Sequence, residues 1–348
     1  MFMRMITIQT RRSARWMLCI LVSIVCLSAC QPDGAGQTIA SASNQPVANP
    51  GSRSAHAMIY HADLEQVILV GGVPAGQDGG PWGWNGTRWS QLGDDAGPGA
   101  RGHFALAYDA NQNVLLLHGG FVLRFGQDVG EDERYGDLWA WNGASWTLLH
   151  GPDEGPGVRD HHAMAYDAAR QEIVLFGGGR GAPGNREPLG NTWIYDGQRW
   201  RSHEGISPPP RGTHRMVYDD NRERVVLFGG WGEEGLLNDT WEWDGTSWTL
   251  VSEEGPSPRF ATRMAYDARR QRVVLFGGRG EAGDFGDTWE WDGTAWTQVA
   301  ETGPSLRNVH GMAYDRQREE VVLYGGFHAG NRLQDTWTWD GVRWHQVN

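Results

Sequence analysis

Residues 241–248 read Trp-Glu-Trp-Asp-Gly-Thr-Ser-Trp, and close variants of this octet end five other stretches of the chain, at 82–89, 139–146, 193–200, 289–296 and 337–344. Two aromatics one residue apart lie on the same face of an extended strand. The Asp-Gly or Asn-Gly step that follows signals a hairpin, because glycine tolerates positive φ. Seventeen of the 19 tryptophans fall in these octets, and only Trp16 and Trp231 lie elsewhere.

Upstream of each octet the same landmarks return. An arginine opens each copy (Arg53, Arg101, Arg159, Arg211, Arg259, Arg307), and a tyrosine follows seven residues later (Tyr60, Tyr108, Tyr166, Tyr218, Tyr266, Tyr314). Eleven residues further on comes a glycine pair: Gly71-Gly72, Gly119-Gly120, Gly177-Gly178, Gly229-Gly230, Gly277-Gly278 and Gly325-Gly326. The arginine-to-tyrosine stretch alternates at period two, and Val225-Val226-Leu227-Phe228 is an apolar β-type run. The glycine pair ending that run points to a close backbone approach that a Cβ would block. Each copy therefore predicts a four-stranded antiparallel meander. Strand a runs from arginine to tyrosine, strand b to the glycine pair, strand c through the first two aromatics, and strand d from the last tryptophan.

A single such sheet has two apolar faces. A buried tryptophan removes about 150–250 Å² from water, worth roughly 4–6 kcal/mol at most, so stacking on both sides is strongly favoured. Six tandem copies predict an all-β, six-bladed β-propeller. The blades are expected at 53–92, 101–150, 159–204, 211–252, 259–300 and 307–348. The chain over residues 53–348 resembles the kelch-repeat family, through the glycine pair, the upstream tyrosine and the spaced tryptophan in every copy. Copy 1 departs with Gly80-Pro81 where copies 4–6 have Asp-Thr, and copy 3 with Tyr195 for the second tryptophan. Kelch propellers often close by mixing strands from both termini; here the units run from a to d, and whether residues 38–48 add a closing strand is open.

Composition removes several alternatives. Fifty glycines in 348 residues without a three-residue period exclude collagen, and the tryptophan content argues against disorder. Lysine is absent, and four of the 30 arginines precede residue 30. The remaining 26 face all 42 acids, a net charge of −16 that disfavours nucleic-acid binding. The three cysteines are Cys19, Cys26 and Cys30, so the repeat body has no disulfide, thiolate metal site or cysteine nucleophile.

Residues 1–15 carry four arginines and no acid, and 16–29 are apolar and end in small side chains. We read 1–29 as an export signal. Leu27-Ser28-Ala29-Cys30 resembles the lipobox of bacterial lipoproteins, which implies acylation of Cys30; Gln31 after it implies the outer membrane, if the cell has one. Residues 30–52, rich in Gly, Ala, Ser, Gln, Asn and Pro, read as a flexible tether.

Length varies in only two places, from the glycine pair to the octet and from the last tryptophan to the next arginine. In an up-down meander these b–c and d–a connections share one face, which we take as the functional face. Its largest b–c connections are 121–136 and 179–190. The recurrent histidines His56, His162, His214 and His310, and the arginine ring, are read as structural; the arginines are expected to pair with Asp137, Asp239, Asp287 and Asp335 or with backbone carbonyls. Residues that break the repeat are better candidates for ligand binding. His103 and His161 stand where other copies have Ala, Thr or Val, and His118 replaces an apolar residue. Beside them lie Phe121, Arg124, Phe125, Asp128 and Glu131, and Trp231, Arg279 and Phe327 begin other b–c connections. We assign no catalytic residue, metal or cofactor. The expected role is non-enzymatic binding of a protein or glycan by a monomeric body. The alternative is a carbohydrate-processing enzyme of epimerase, mutarotase or lyase type, because kelch-like propellers host such chemistry. A galactose-oxidase-like copper centre is excluded, since the body lacks the cysteine it needs.

Overall fold

The computed structural model describes residues 49–74, 80–93, 97–122, 133–181 and 186–347, and among these every regular element is a β-strand. Six four-stranded antiparallel sheets follow one another along the chain and form a six-bladed propeller. Blade 4 is typical: strand a is Arg215–Asp219, b Arg224–Gly232, c Gly235–Trp243 and d Trp248–Ser252. In every blade the spatial order is a-b-c-d, so among the described residues no strand is exchanged between the first and last blades.

The apolar run of strand b explains the stacking. Val225 and Leu227 pack on Ala163, Val174 and Phe176 of blade 3, while Val226 and Phe228 pack on Met264, Val273 and Leu275 of blade 5. Successive side chains point to opposite faces, so a strand covered on both faces must be apolar at every position. Strand a is innermost and lines the axis. Strand d is outermost, and Leu148 and Leu250 on it are exposed.

Blade 1 (Ala57–His61, Gln66–Val70, Trp82–Trp84, Trp89–Gln91) meets blade 6 (Gly311–Asp315, Glu320–His328, Asn331–Trp339, Trp344–Gln346) through the same contacts as any other pair. Two closed rings of backbone hydrogen bonds tie all six blades. In the first, the second glycine of each pair donates its N–H to the carbonyl of the next blade's opening arginine, at 2.9–3.0 Å, ending with Gly326 to Arg53. In the second, the residues two after each arginine are linked N–H to carbonyl in a circle: His103 to Ala55, His161 to His103, Thr213 to His161, Ala261 to Thr213, Val309 to Ala261 and Ala55 to Val309. All six have φ between 45° and 58°, which turns their amides tangentially round the axis. A third link is made by side chains. The indoles of Trp248, Trp296, Trp344 and Trp89 donate to Thr192, Thr240, Thr288 and Thr336 of the preceding blade, at 2.8–3.1 Å.

The glycine pair is required at the first ring. At Gly177, φ is +66° and a Cβ would lie 2.6 Å from the Arg211 carbonyl; at Gly178, φ is +98° and a Cβ would lie 2.7 Å from the Asp160 carbonyl.

Three details refine the sequence reading. The Asp-Gly hairpins are four-residue loops, Trp243 pairing with Trp248, with the Asp244 carboxylate accepting from the Thr246 and Ser247 amides. The b–c connections of blades 4 and 6 are not loops: strands b and c run on past the glycines, so Trp231 and Phe327 lie in ladders. Finally, the last residues of the expected tether are held. Pro50 is buried, and the Tyr324 hydroxyl donates to the Gly51 carbonyl at 3.0 Å, because the chain must lie against blade 6 to deliver Arg53 to its ring position. Residues 1–48, including Cys30 and the 38–48 segment, lie outside the described residues.

Candidate ligand site at the axial mouth

The frame of the b–c and d–a face is built by the opening arginines. Each donates through Nη1 to the carbonyl of the first glycine of its own blade, at 2.9–3.2 Å. Arg101, Arg211, Arg259 and Arg307 also pair with Asp137, Asp239, Asp287 and Asp335. The neighbouring indoles of Trp139, Trp241, Trp289 and Trp337 donate to the same carboxylates. Burial works against charge on Asp287, but the Arg259 guanidinium and the Trp289 indole hold its carboxyl below the usual range. In blade 3 Asn191 takes the carboxylate's place. His56, His162, His214 and His310 are buried between blades, each ring packed under the first glycine of the preceding blade. Burial, reinforced by nearby arginines in each case, pushes their pKa values well down, so they are neutral.

On this frame the repeat-breaking residues of blades 2 and 3 converge at the axis. His103 and His161 are members of the inner backbone ring, and their imidazole centroids lie 3.9 Å apart. Phe121 stacks on His103 at 5.1 Å with an interplanar angle of 11°. Three residues that the sequence reading did not select complete the group. The buried Asp160 carboxylate contacts His161 Nδ1 at 2.6 Å and also takes Arg134 at 3.2 Å and Arg186 at 3.4 Å. Both guanidiniums lie over the Phe121 ring, at 5.7 and 5.4 Å. Arg186 Nη1 is 3.1 Å from His161 Nδ1, which has one proton site to share between donor and acceptor. With Nδ1–H donating to the Asp160 carboxylate, the contact with Arg186 is not a hydrogen bond and Nε2 of His161 is left as an acceptor. Burial raises the Asp160 pKa against the pull of Arg186 and Arg134. Burial also lowers those of His103 and His161, with the neighbouring His161 and Arg186 respectively adding to the effect. The signal for Asp160 was present in the repeat, since Ser54, Gly102, Gly212, Phe260 and Asn308 hold its position elsewhere.

Arranged this way, the mouth offers an aromatic plane, two guanidiniums and a carboxylate–imidazole pair. It can stack on an apolar face of a ligand and hydrogen-bond its polar edge. Beneath it the axis opens into a cavity of about 100 Å³ that His103 and His161 help to line.

Not all candidates join this group. His118 is wholly buried between blades 2 and 3, with Nδ1 3.1 Å from His162 Nε2; burial, then Arg159, pushes its pKa down to about 3. It packs where an apolar residue stands in the other blades and reaches no ligand surface. Arg279 pairs with Asp284, which is also bonded to His328 and Asn308, a separate polar group of blades 5 and 6. Trp231 and Phe327 are half-buried on the extended ribbons of blades 4 and 6. Arg124, Phe125, Asp128 and Glu131 lie outside the described residues. Among the described residues, no three His, Cys, Asp or Glu side chains are grouped to hold a metal ion.

The opposite end of the axis holds a wider cavity of about 450 Å³, ringed by the six repeat tyrosines and, above them, methionines. Hydroxyls of this ring are already engaged: those of Tyr218, Tyr266 and Tyr314 accept from the Ala169, Asn221 and Arg269 amides of the preceding blades. The mouth, by contrast, is built from residues that differ between blades.

No family model matches the sequence. Among solved structures, one described as "Structure of YjhT" is similar, with a TM-score of 0.67 and 13% sequence identity over 86% of this chain and 98% of the other. That likeness supports the propeller fold.

Proposed function

We propose that the chain is an exported kelch-type propeller, tethered through an acylated Cys30, that binds a glycan or protein ligand at the axial mouth of its b–c and d–a face. The observation that carries this reading is the convergence of His103, His161 and Phe121 with Asp160, Arg134 and Arg186 on one point of the axis. Binding rather than turnover is favoured because, among the described residues, the mouth has a stacking plane but no nucleophile beside its carboxylate–imidazole pair. A glycan array and a pull-down from envelope extract, run with the wild type and with His103→Ala/Phe121→Ala, test it. Alanine is what blades 1 and 5 carry at the position of His103, so the change suits the ring. Loss of a wild-type hit in the variant is the expected outcome; a hit unaffected by the variant places the ligand elsewhere. Fractionation of Cys30→Ser tests the anchor, and retention on the membrane would refute it.

The Asp160–His161 contact of 2.6 Å favours one second reading, proton transfer on a sugar by an epimerase, mutarotase or lyase. Turnover of any sugar hit that disappears in His161→Gln would establish that reading.

A further inference from the structure

Below the mouth, two side chains break the repeat in a way the ring does not need. Four residues after the opening arginine, blades 1, 2, 3 and 6 carry Ala57, Ala105, Ala163 and Gly311, whereas blades 4 and 5 carry Arg215 and Arg263. Both arginines line the axial cavity of about 100 Å³. Arg263 is buried, with Nη1 donating to the Thr262 carbonyl at 3.0 Å and Nη2 to the His56 carbonyl at 3.4 Å. Arg215 donates to the same Thr262 carbonyl through Nε at 3.0 Å, and its two Nη groups make no hydrogen bond among the described residues. No carboxylate among the described residues pairs with either guanidinium. Asp160, at the mouth, is taken up by His161, Arg134 and Arg186. The imidazoles around the pair are His56, His103, His161, His214 and His310, all kept neutral by burial.

Holding two like charges together without a counter-charge, Arg263 buried and Arg215 half-buried, is costly, and each one raises the cost of the other. Burial pushes the Arg215 guanidinium down to about 10, and burial together with Arg215 lowers that of Arg263 well below its ordinary value. Alanine or glycine serves the same place in four blades, so the blade framework does not require arginine here. Two convergent cations with donors to spare, in a cavity several times larger than a single water needs, form a receptor for negative charge.

We propose that Arg215 and Arg263 form an oxyanion site, in which a carboxylate, sulfate or phosphate group accepts hydrogen bonds from the Nη donors of Arg215 and neutralises both guanidiniums. This rests on the reading of the mouth as a ligand site and sharpens it: the ligand admitted there carries an acidic group.

The test is thermal unfolding and titration calorimetry of the propeller with sodium acetate, sulfate and inorganic phosphate, each against sodium chloride at equal ionic strength. Wild type, Arg215→Ala/Arg263→Ala and His103→Ala/Phe121→Ala are compared. Sulfate and phosphate stabilise proteins generally by exclusion from their surface, so the double arginine variant is the reference for specificity. The expected result is a saturable rise in Tm of a few degrees in the wild type with one or more of the three anions, and which of them respond identifies the acidic group. Binding weakens at least about tenfold in the double arginine variant, which folds with a Tm no lower than that of the wild type without anion. A wild type with no saturable response beyond chloride, or an undiminished response in that variant, overturns the proposal. Anion binding that survives His103→Ala/Phe121→Ala while no glycan or protein ligand is found would leave the oxyanion site standing and remove the reading of the mouth. A glycan or protein hit indifferent to all three anions and to the arginine variant would do the reverse.

Discussion

At the residue scale, the propeller is held by charges taken out of water in pairs. Arg259 is fully buried and Asp287 is 17% exposed, with Nη1 to Oδ1 at 2.6 Å and the Trp289 indole donating to the same carboxylate. Removing one partner strands the other, so Asp287→Ala is expected to cost about 3 kcal/mol in urea unfolding. Asp287→Asn, which keeps an acceptor for the indole, should cost less. Equal stability of all three proteins would show that the pair contributes nothing. These pairings were legible in the sequence, because arginine and aspartate recur in register. Asp160 breaks the repeat and was legible by that criterion; Arg134 and Arg186 were not, because they lie in b–c connections of unequal length with no counterpart in the other blades, and their meeting depends on two ribbons folding toward one point.

At the scale of the element, the glycine pair and the Thr–Trp links decide how sheets meet. Gly177→Ala must keep φ near +66° and bring a Cβ to 2.6 Å from the Arg211 carbonyl, so blade 3 must part from blade 4. A loss of about 2–4 kcal/mol is expected by chemical denaturation, combining left-handed strain with disrupted packing; a loss under about 0.5 kcal/mol would contradict the close approach. Thr288→Val should be milder. It leaves the buried Trp344 N–H without its 2.8 Å acceptor, worth about 1 kcal/mol, yet blades 1 and 2 already have Pro81 and Leu138 at the equivalent place. The strands themselves were legible from period-two alternation and the apolar run. The ribbons beyond the glycines in blades 4 and 6 were not, since Trp231-Gly232 and Phe327-His328 have no β-type pattern of their own and pair only because a partner strand is delivered alongside.

At the scale of the whole molecule, the ring buries neutral histidines in quantity. His56, His103, His118, His161, His162, His214 and His310 all have pKa values pushed down by burial. Their pKa is lower folded than unfolded, so stability is complete above the unfolded value of about 6.5 and falls as the unfolded chain takes up protons below it. Each contributes up to about 1.4 kcal/mol per pH unit in that range. Asp287, held down by its partners, adds a second loss only below about pH 4, while Asp160 and Glu320, raised by burial, act in the opposite sense. Melting between pH 7.5 and 5 should therefore show a steep fall in Tm, before the carboxylates titrate. A Tm flat across that interval would mean that the histidines protonate inside the fold.

The sequence by itself determined the blade count, the strand order within each blade and the all-β class. Those follow from local patterns repeated six times: alternation, glycine where a Cβ cannot fit, and tryptophan faces needing cover. Only the tertiary structure decided which of the irregular residues meet. Closing the ring brings positions about fifty residues apart to one axis, so His103 reaches His161 and Arg215 reaches Arg263. It also sends His118 into an interface instead of onto the face. No local pattern records such distances, because they are fixed by how six wedges share a centre.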